Sequence, residues 1–119
     1  MTTTAKFSFL HLPHWLRVAL VTLVLATAVH WIEARGNYVH LHTDEGTFLL
    51  RETLTALAAE LPAARFVRVH RSAVVAWPEV VAMQRVASGD HELQLRSGAR
   101  VPLARTHRDA FVARWRGAR

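Results

Sequence analysis

Basic and apolar side chains alternate through Phe66-Val67-Arg68-Val69-His70-Arg71-Ser72. A period of two is the signature of a half-buried strand, so Phe66 and Arg68 are expected on one face and Val67 and Val69 on the other. Such a strand delivers Arg71 and Ser72 to the loop that follows it. A guanidinium held there is always charged and offers an anion a planar fork of donors. Alternation also runs through Tyr38-Val39-His40-Leu41-His42-Thr43, and Asp44-Glu45-Gly46 turns the chain into Thr47-Phe48-Leu49-Leu50 as the second arm of a hairpin. Leu50, Leu54, Leu57 and Leu61 then recur at spacings of four, three and four, a helical stripe that Pro62 ends. Beyond the basic strand, Ala73–Ala76 and Val80–Met83 are two short strands parted by Trp77-Pro78. Ser88-Gly89-Asp90 leads into His91–Leu95, and Ser97-Gly98 into Arg100–Leu103. Pro102 has no N–H for a central ladder, which predicts an edge strand or a bulge there. Thr106 and Asp109 have the spacing of a capping box for a closing helix that carries His107, Phe111 and Trp115 on one face. Arg105, just ahead of that cap, would lie beside free N–H groups and the positive end of the helix dipole, a natural place for phosphate or a base edge.

The N-terminal pattern is different. Val18 to Val29 is a run of 12 residues without a charge, bounded by Arg17 and His30. It reads first as a buried strand or short helix. A bilayer-spanning helix needs about 20 apolar residues, so a membrane role would require Arg17 to snorkel. The basic start (Lys6, His11, His14, Arg17) and Ala26-Thr27-Ala28 also imitate a signal peptide. Residues 1–16 read as a tail and 17–119 as one domain.

Charge sharpens the reading. The 119 residues carry a net +6. Residues 61–119 hold 11 arginines against four acids, a balance of +7, whereas residues 1–60 balance at −1. A footprint this lopsided points to a polyanion, nucleic acid before an anionic membrane. No cysteine is present, which excludes disulfides, thiolate zinc sites and cysteine nucleophiles and is compatible with the cytoplasm. His40 and His42 share a strand face and form a chelating pair, but no third ligand is marked out. The nine acids are scattered rather than gathered for magnesium, and Glu33 reads as a structural acceptor. No cofactor and no catalysis are expected.

Four blocks together resemble the LytTR-type DNA-binding domain. They are Trp31-Ile32-Glu33-Ala34-Arg35-Gly36-Asn37-Tyr38-Val39, then Leu50-Arg51-Glu52-Thr53-Leu54, then Phe66 to Ser72, and finally Val101-Pro102-Leu103-Ala104-Arg105. They occur in the family's order over roughly residues 20–116. The resemblance implies a mainly β, elongated fold of antiparallel sheets with one or two short helices. It implies a bacterial transcriptional regulator that reads direct repeats in double-stranded DNA, with loops rather than a recognition helix in the major groove. Base contacts are then expected from Asn37, Tyr38, Val39, His40, His70, Arg71 and Arg105. Arginine is the residue suited to guanine O6 and N7. Arg51, Arg68, Ser72 and Arg108 are expected on phosphates. Two copies on the repeats and an upstream sensor or histidine-kinase pathway are the further partners implied.

The sequence departs from the family at Ala76, where asparagine is common, at His107, where an aromatic is expected, and in its apolar segment before Trp31. Only about 30 residues precede the first block, so phosphoryl control through a receiver aspartate is not expected from this chain, which reads as a stand-alone regulator or the end of a longer protein. Two alternatives stand beside the main reading. One is the same module anchored at the inner face of the cytoplasmic membrane by residues 18–29. The other is a basic interaction module with no DNA role.

Overall fold

Eight strands lie among the residues that the computed structural model describes, 29–118 together with positions 13, 15, 16 and 19. The strands are β1 (Val29–Arg35), β2 (Tyr38–Thr43), β3 (Gly46–Leu50), β4 (Phe66–His70), β5 (Ala73–Ala76), β6 (Val80–Arg85), β7 (His91–Leu95) and β8 (Arg100–Leu103). Helix α1 (Leu54–Glu60) lies between β3 and β4, and helix α2 (Arg105–Gly117) follows β8. The strands form two antiparallel sheets, one in the order β3-β2-β1-β5-β4 and one in the order β6-β7-β8. The expected mainly β, antiparallel architecture is therefore the one observed. The readings placed on residues 1–28, a tail, a buried segment, a signal or an anchor, rest on residues of which only positions 13, 15, 16 and 19 are described. Among the described residues no helix is long and apolar enough to cross a membrane.

The five-stranded sheet is a middle layer with a core on each side. Ile32, Val39, Leu41, Leu50, Phe66 and Val74 face α1, whose Leu54 and Leu57 close the first core. On the opposite face Val69, Ala73 and Val75 pack against Leu93, Leu95, Val101 and Leu103 of the smaller sheet and against Phe111 of α2. This explains why β5 is apolar at every position: Val74 and Ala76 serve one core, Ala73 and Val75 the other. Pro102 lies exposed on β8, an edge strand, where its missing N–H leaves no ladder bond unmade.

Three local expectations are corrected. Leu50 ends β3 instead of opening the helix, which starts at Leu54 because the Thr53 hydroxyl accepts from the Ala56 N–H at 3.1 Å. The capping box at Thr106 does not form: Ala104 is the cap residue, without a side-chain cap, and Arg105 is the first helical residue. The reason is that the Ala104 N–H is held by the Val69 carbonyl at 2.8 Å, which fixes the helix entry two residues early. Trp77-Pro78 is no simple break but a single 3-10 turn, Trp77–Glu79, whose indole packs edge-on against Phe111 and Trp115 with ring centroids 5.4 and 5.8 Å away.

Candidate nucleic-acid interface

The strand order brings distant parts of the sequence to one end of the large sheet. β1 ends and β2 begins there, since Arg35 pairs with Tyr38, and β3 ends there, since Leu50 pairs with Val39. The β4–β5 turn arrives at the same end, where Glu33 pairs with Ala73. Gly36 at φ +61° permits the tight reversal that exposes Asn37. Two backbone bonds pin these segments together. The Ala34 N–H donates to the Ser72 carbonyl at 2.9 Å, and the Ala104 N–H to the Val69 carbonyl at 2.8 Å. The second bond seats Arg105 beside the end of β4. Asn37, Tyr38, Arg51, Thr55, Arg68 and Arg71 line a shared cleft of about 650 Å³.

Within this region each side chain has a distinct state. Arg71 is exposed at the turn and, like Arg51, makes no ion pair among the described residues. Arg105 is 79 % exposed, with Asp90 Oδ1 3.8 Å from its Nε, a surface pair that exerts little hold. Arg108 is half-exposed beside Asp109 on the same helix, 3.7 Å away. His70 Nδ1 accepts from the Ser72 N–H at 3.1 Å and lies 2.8 Å from the Ser72 hydroxyl. That leaves Nε2 as the protonated, donating nitrogen of a neutral ring. Burial, followed by the charges of Arg71, His107 and Arg68, lowers the His70 pKa from its ordinary value and keeps the ring in that form. Arg68 is turned inward: its Nε donates to the His70 carbonyl at 2.9 Å, Nη2 to the Arg71 carbonyl at 2.6 Å and Nη1 to the Thr55 hydroxyl at 3.4 Å.

Two residues from the expected set lie elsewhere. Val39 is 0 % exposed in the first core, so its side chain cannot meet DNA, which corrects the base-contact expectation at that position. Strand alternation is the cause: Tyr38 and His40 face away from the core that Val39 helps to fill. His40 stands on the sheet face outside the cleft, opposite Glu33 and stacked on His42 at 6.3 Å. Its pKa is lowered by burial and then by Arg35, against an opposing pull from Glu33. The His40–His42 pair has no third ligand: among the described residues no three metal-binding side chains gather. His42 is held by Glu33 at 3.1 Å and Thr47 at 3.2 Å and stacks on Trp31. Glu33 is thus a structural acceptor for His42 on the neighbouring strand.

Sequence reasoning missed Arg35, Thr55, Glu52 and His107. Arg35 is an exposed cation at the β1–β2 turn. Thr55 braces Arg68 from α1, and Glu52 lines the cleft while accepting from the Thr53 N–H at 3.0 Å. His107 is close enough to His70 to depress its pKa. None of these could be placed without knowing which strand ends meet, although His107 had been marked as a departure.

The model of the LytTr DNA-binding domain family matches residues 20–116. The chain belongs to the LytTR family of DNA-binding domains. It is 29 % identical over 104 residues to the sensory transduction protein LytT of Bacillus anthracis, covering 87 % of this chain and 41 % of that protein. It is 35 % identical over 89 residues to the positive alginate biosynthesis regulatory protein of Pseudomonas aeruginosa, covering 73 % of this chain and 36 % of the relative. This chain therefore spans well under half the length of these relatives. Among solved structures, a LytTr DNA-binding domain from Bacillus cereus superposes with a TM-score of 0.64 at 25 % identity, over 70 % of this chain and 76 % of that one. The LytTR family is one of DNA binding and not of catalysis.

Proposed function

We propose that this LytTR domain serves a bacterial transcriptional regulator and reads direct repeats in promoter DNA by placing loops in successive major grooves. The observation that carries the reading is the convergence of three separate segments at one sheet end, pinned by the Ala34–Ser72 and Ala104–Val69 backbone bonds. In this reading Asn37, Tyr38, His70, Arg71 and Arg105 address base edges. Arg71 and Arg105 supply forks for guanine, Asn37 an amide suited to adenine, and His70 a single N–H donor for a base acceptor. Arg51, Ser72 and Arg108 address phosphates and set the register. With Val39 excluded, His40, off the cleft, has the weakest claim of the expected base readers that remain. Two copies would occupy the two repeats, and an upstream sensor would supply the signal.

The test is selection from a random duplex library with the purified chain, followed by Arg71→Ala and Arg105→Ala on the selected site. Each substitution is expected to weaken binding by ~1–3 kcal/mol and to relax preference at particular base positions. Unselective binding that fades steeply with salt would instead leave only a generic basic surface.

A further inference from the structure

Arg68 looks, by charge and position, like one more cation for the phosphate backbone. Its hydrogen bonds say otherwise. Nε and Nη2 take the carbonyls of His70 and Arg71, two successive residues of the proposed reading turn, at 2.9 and 2.6 Å. Nη1 reaches Thr55 on α1, which ties the turn to the helix across the cleft. A third carbonyl of the turn, that of Ser72, is taken by the Ala34 N–H. The turn's amide at Ser72 is taken by His70 Nδ1. The β4–β5 ladder shifts register between Arg68 and His70, where Arg68 pairs with Val74 and His70 with Ala73. A bulge of this kind re-aims the side chains beyond it, but its backbone needs holding.

We infer that Arg68 is a positioning residue: its guanidinium clamps the carbonyls of His70 and Arg71 and so aims the Arg71 fork and the His70 Nε2–H at the DNA. The inference deepens the proposed function and rests on it. Only arginine satisfies the geometry, because two acceptors on consecutive residues need the planar fork, and lysine offers a point charge on a flexible stem. The role is also distinct from phosphate contact, because the donors face inward to the protein backbone. A reader built on loops needs such clamps, since any freedom in the turn must be lost again on binding.

Arg68→Lys, which keeps the charge and removes the fork, separates the two roles. Affinity is measured for the selected duplex and for an unrelated duplex over a range of salt, in the wild-type and Arg71→Ala backgrounds. Arg68→Lys is expected to weaken the selected duplex about tenfold and the unrelated duplex less than about twofold, with the salt slope unchanged; in the Arg71→Ala background its effect shrinks to about twofold or less. Amide exchange at Arg71 and Ser72 of the free protein is expected to accelerate in Arg68→Lys, while the melting transition stays cooperative. Full activity of Arg68→Lys, paired with an equal loss on both duplexes and a shallower salt slope in Arg68→Met, would make Arg68 a phosphate contact and overturn the inference. Unchanged amide exchange in the turn would overturn it without reference to DNA. A wild type that selects no duplex would sink the proposed function instead, with exchange still deciding whether Arg68 holds the turn.

Discussion

Arg114 tests whether charge on this chain can be assigned to DNA by counting. Its Nη1 and Nη2 donate to the carbonyls of Ala63 and Ala64 at 3.1 and 2.8 Å, and its guanidinium lies over the Trp77 ring, 4.3 Å from the centroid. The side chain thus fastens α2 to the segment between α1 and β4. Both carbonyls are at the surface and would find water after Arg114→Ala, so each bond contributes about 0.5–1 kcal/mol. The stacked cation adds about 0.5–1 kcal/mol at an exposed site. Together these give a loss of roughly 1.5–3 kcal/mol, a fall in melting temperature of roughly 6–12 °C for a domain of this size. DNA affinity at a temperature where the variant is folded should be unchanged, as should its dependence on salt. Thermal unfolding by circular dichroism and a salt titration of binding make the two measurements. An unaltered melting temperature together with a shallower salt slope would refute the argument and return Arg114 to the DNA-facing set.

Three further outcomes follow from the structure. Val39→Ala removes two methyl groups from a fully buried site and should cost about 1–2.5 kcal/mol in urea unfolding while the selected DNA sequence stays the same; a changed base preference would restore Val39 to the reading set. Gly36→Ala meets no atom within 4 Å, so only the φ of +61° opposes it, and a loss of about 1–2 kcal/mol is expected, with Gly36→Asn milder because asparagine tolerates that region. For His70 the native pKa lies below the ordinary 6.5, so the unfolded chain binds more protons in the window under 6.5 and stability drops as pH falls through it. His70→Gln should flatten that part of the melting temperature profile between pH 7.5 and 5.5, and parallel profiles for variant and wild type would contradict the assignment.

Strands with one solvent-facing side were legible because burial imposes a polar partner at every second position, as in Tyr38–Thr43 and His91–Leu95. β1 was not legible from alternation, because it has a core on both sides: Ile32 enters the first and Trp31 packs against the second. The site was legible as a set of residue types matching a family, but not as a place. Arg68 and Arg71 are neighbours with the same charge and nearly the same sequence context. What separates them is the register shift in β4, which turns one guanidinium back on the turn and leaves the other exposed. The absent cap at Thr106 has a similar origin. Local sequence favoured a capping box, and a bond to a carbonyl in β4, far away along the chain, decided the helix start.

The same reasoning limits what the net charge can mean. Arg68 and Arg114 hold backbone carbonyls, Arg96 reaches the Pro78 carbonyl at 3.3 Å, and Arg100 lies 3.5 Å from Glu92. The cations left at the proposed reading end are Arg35, Arg51, Arg71, Arg105 and Arg108. If these five govern DNA electrostatics, each copy should release counterions for about five phosphates at most, and log affinity should fall with log salt at a slope no steeper than about −4.5. Specificity would then depend on aim more than on attraction, because few charges remain to hold a misdirected loop on DNA. The backbone pins at Ser72 and Val69, and the Arg68 clamp, would then be the features on which discrimination rests. A slope near −10 for one copy would show instead that the whole basic half engages DNA, and the loops would lose their privileged place.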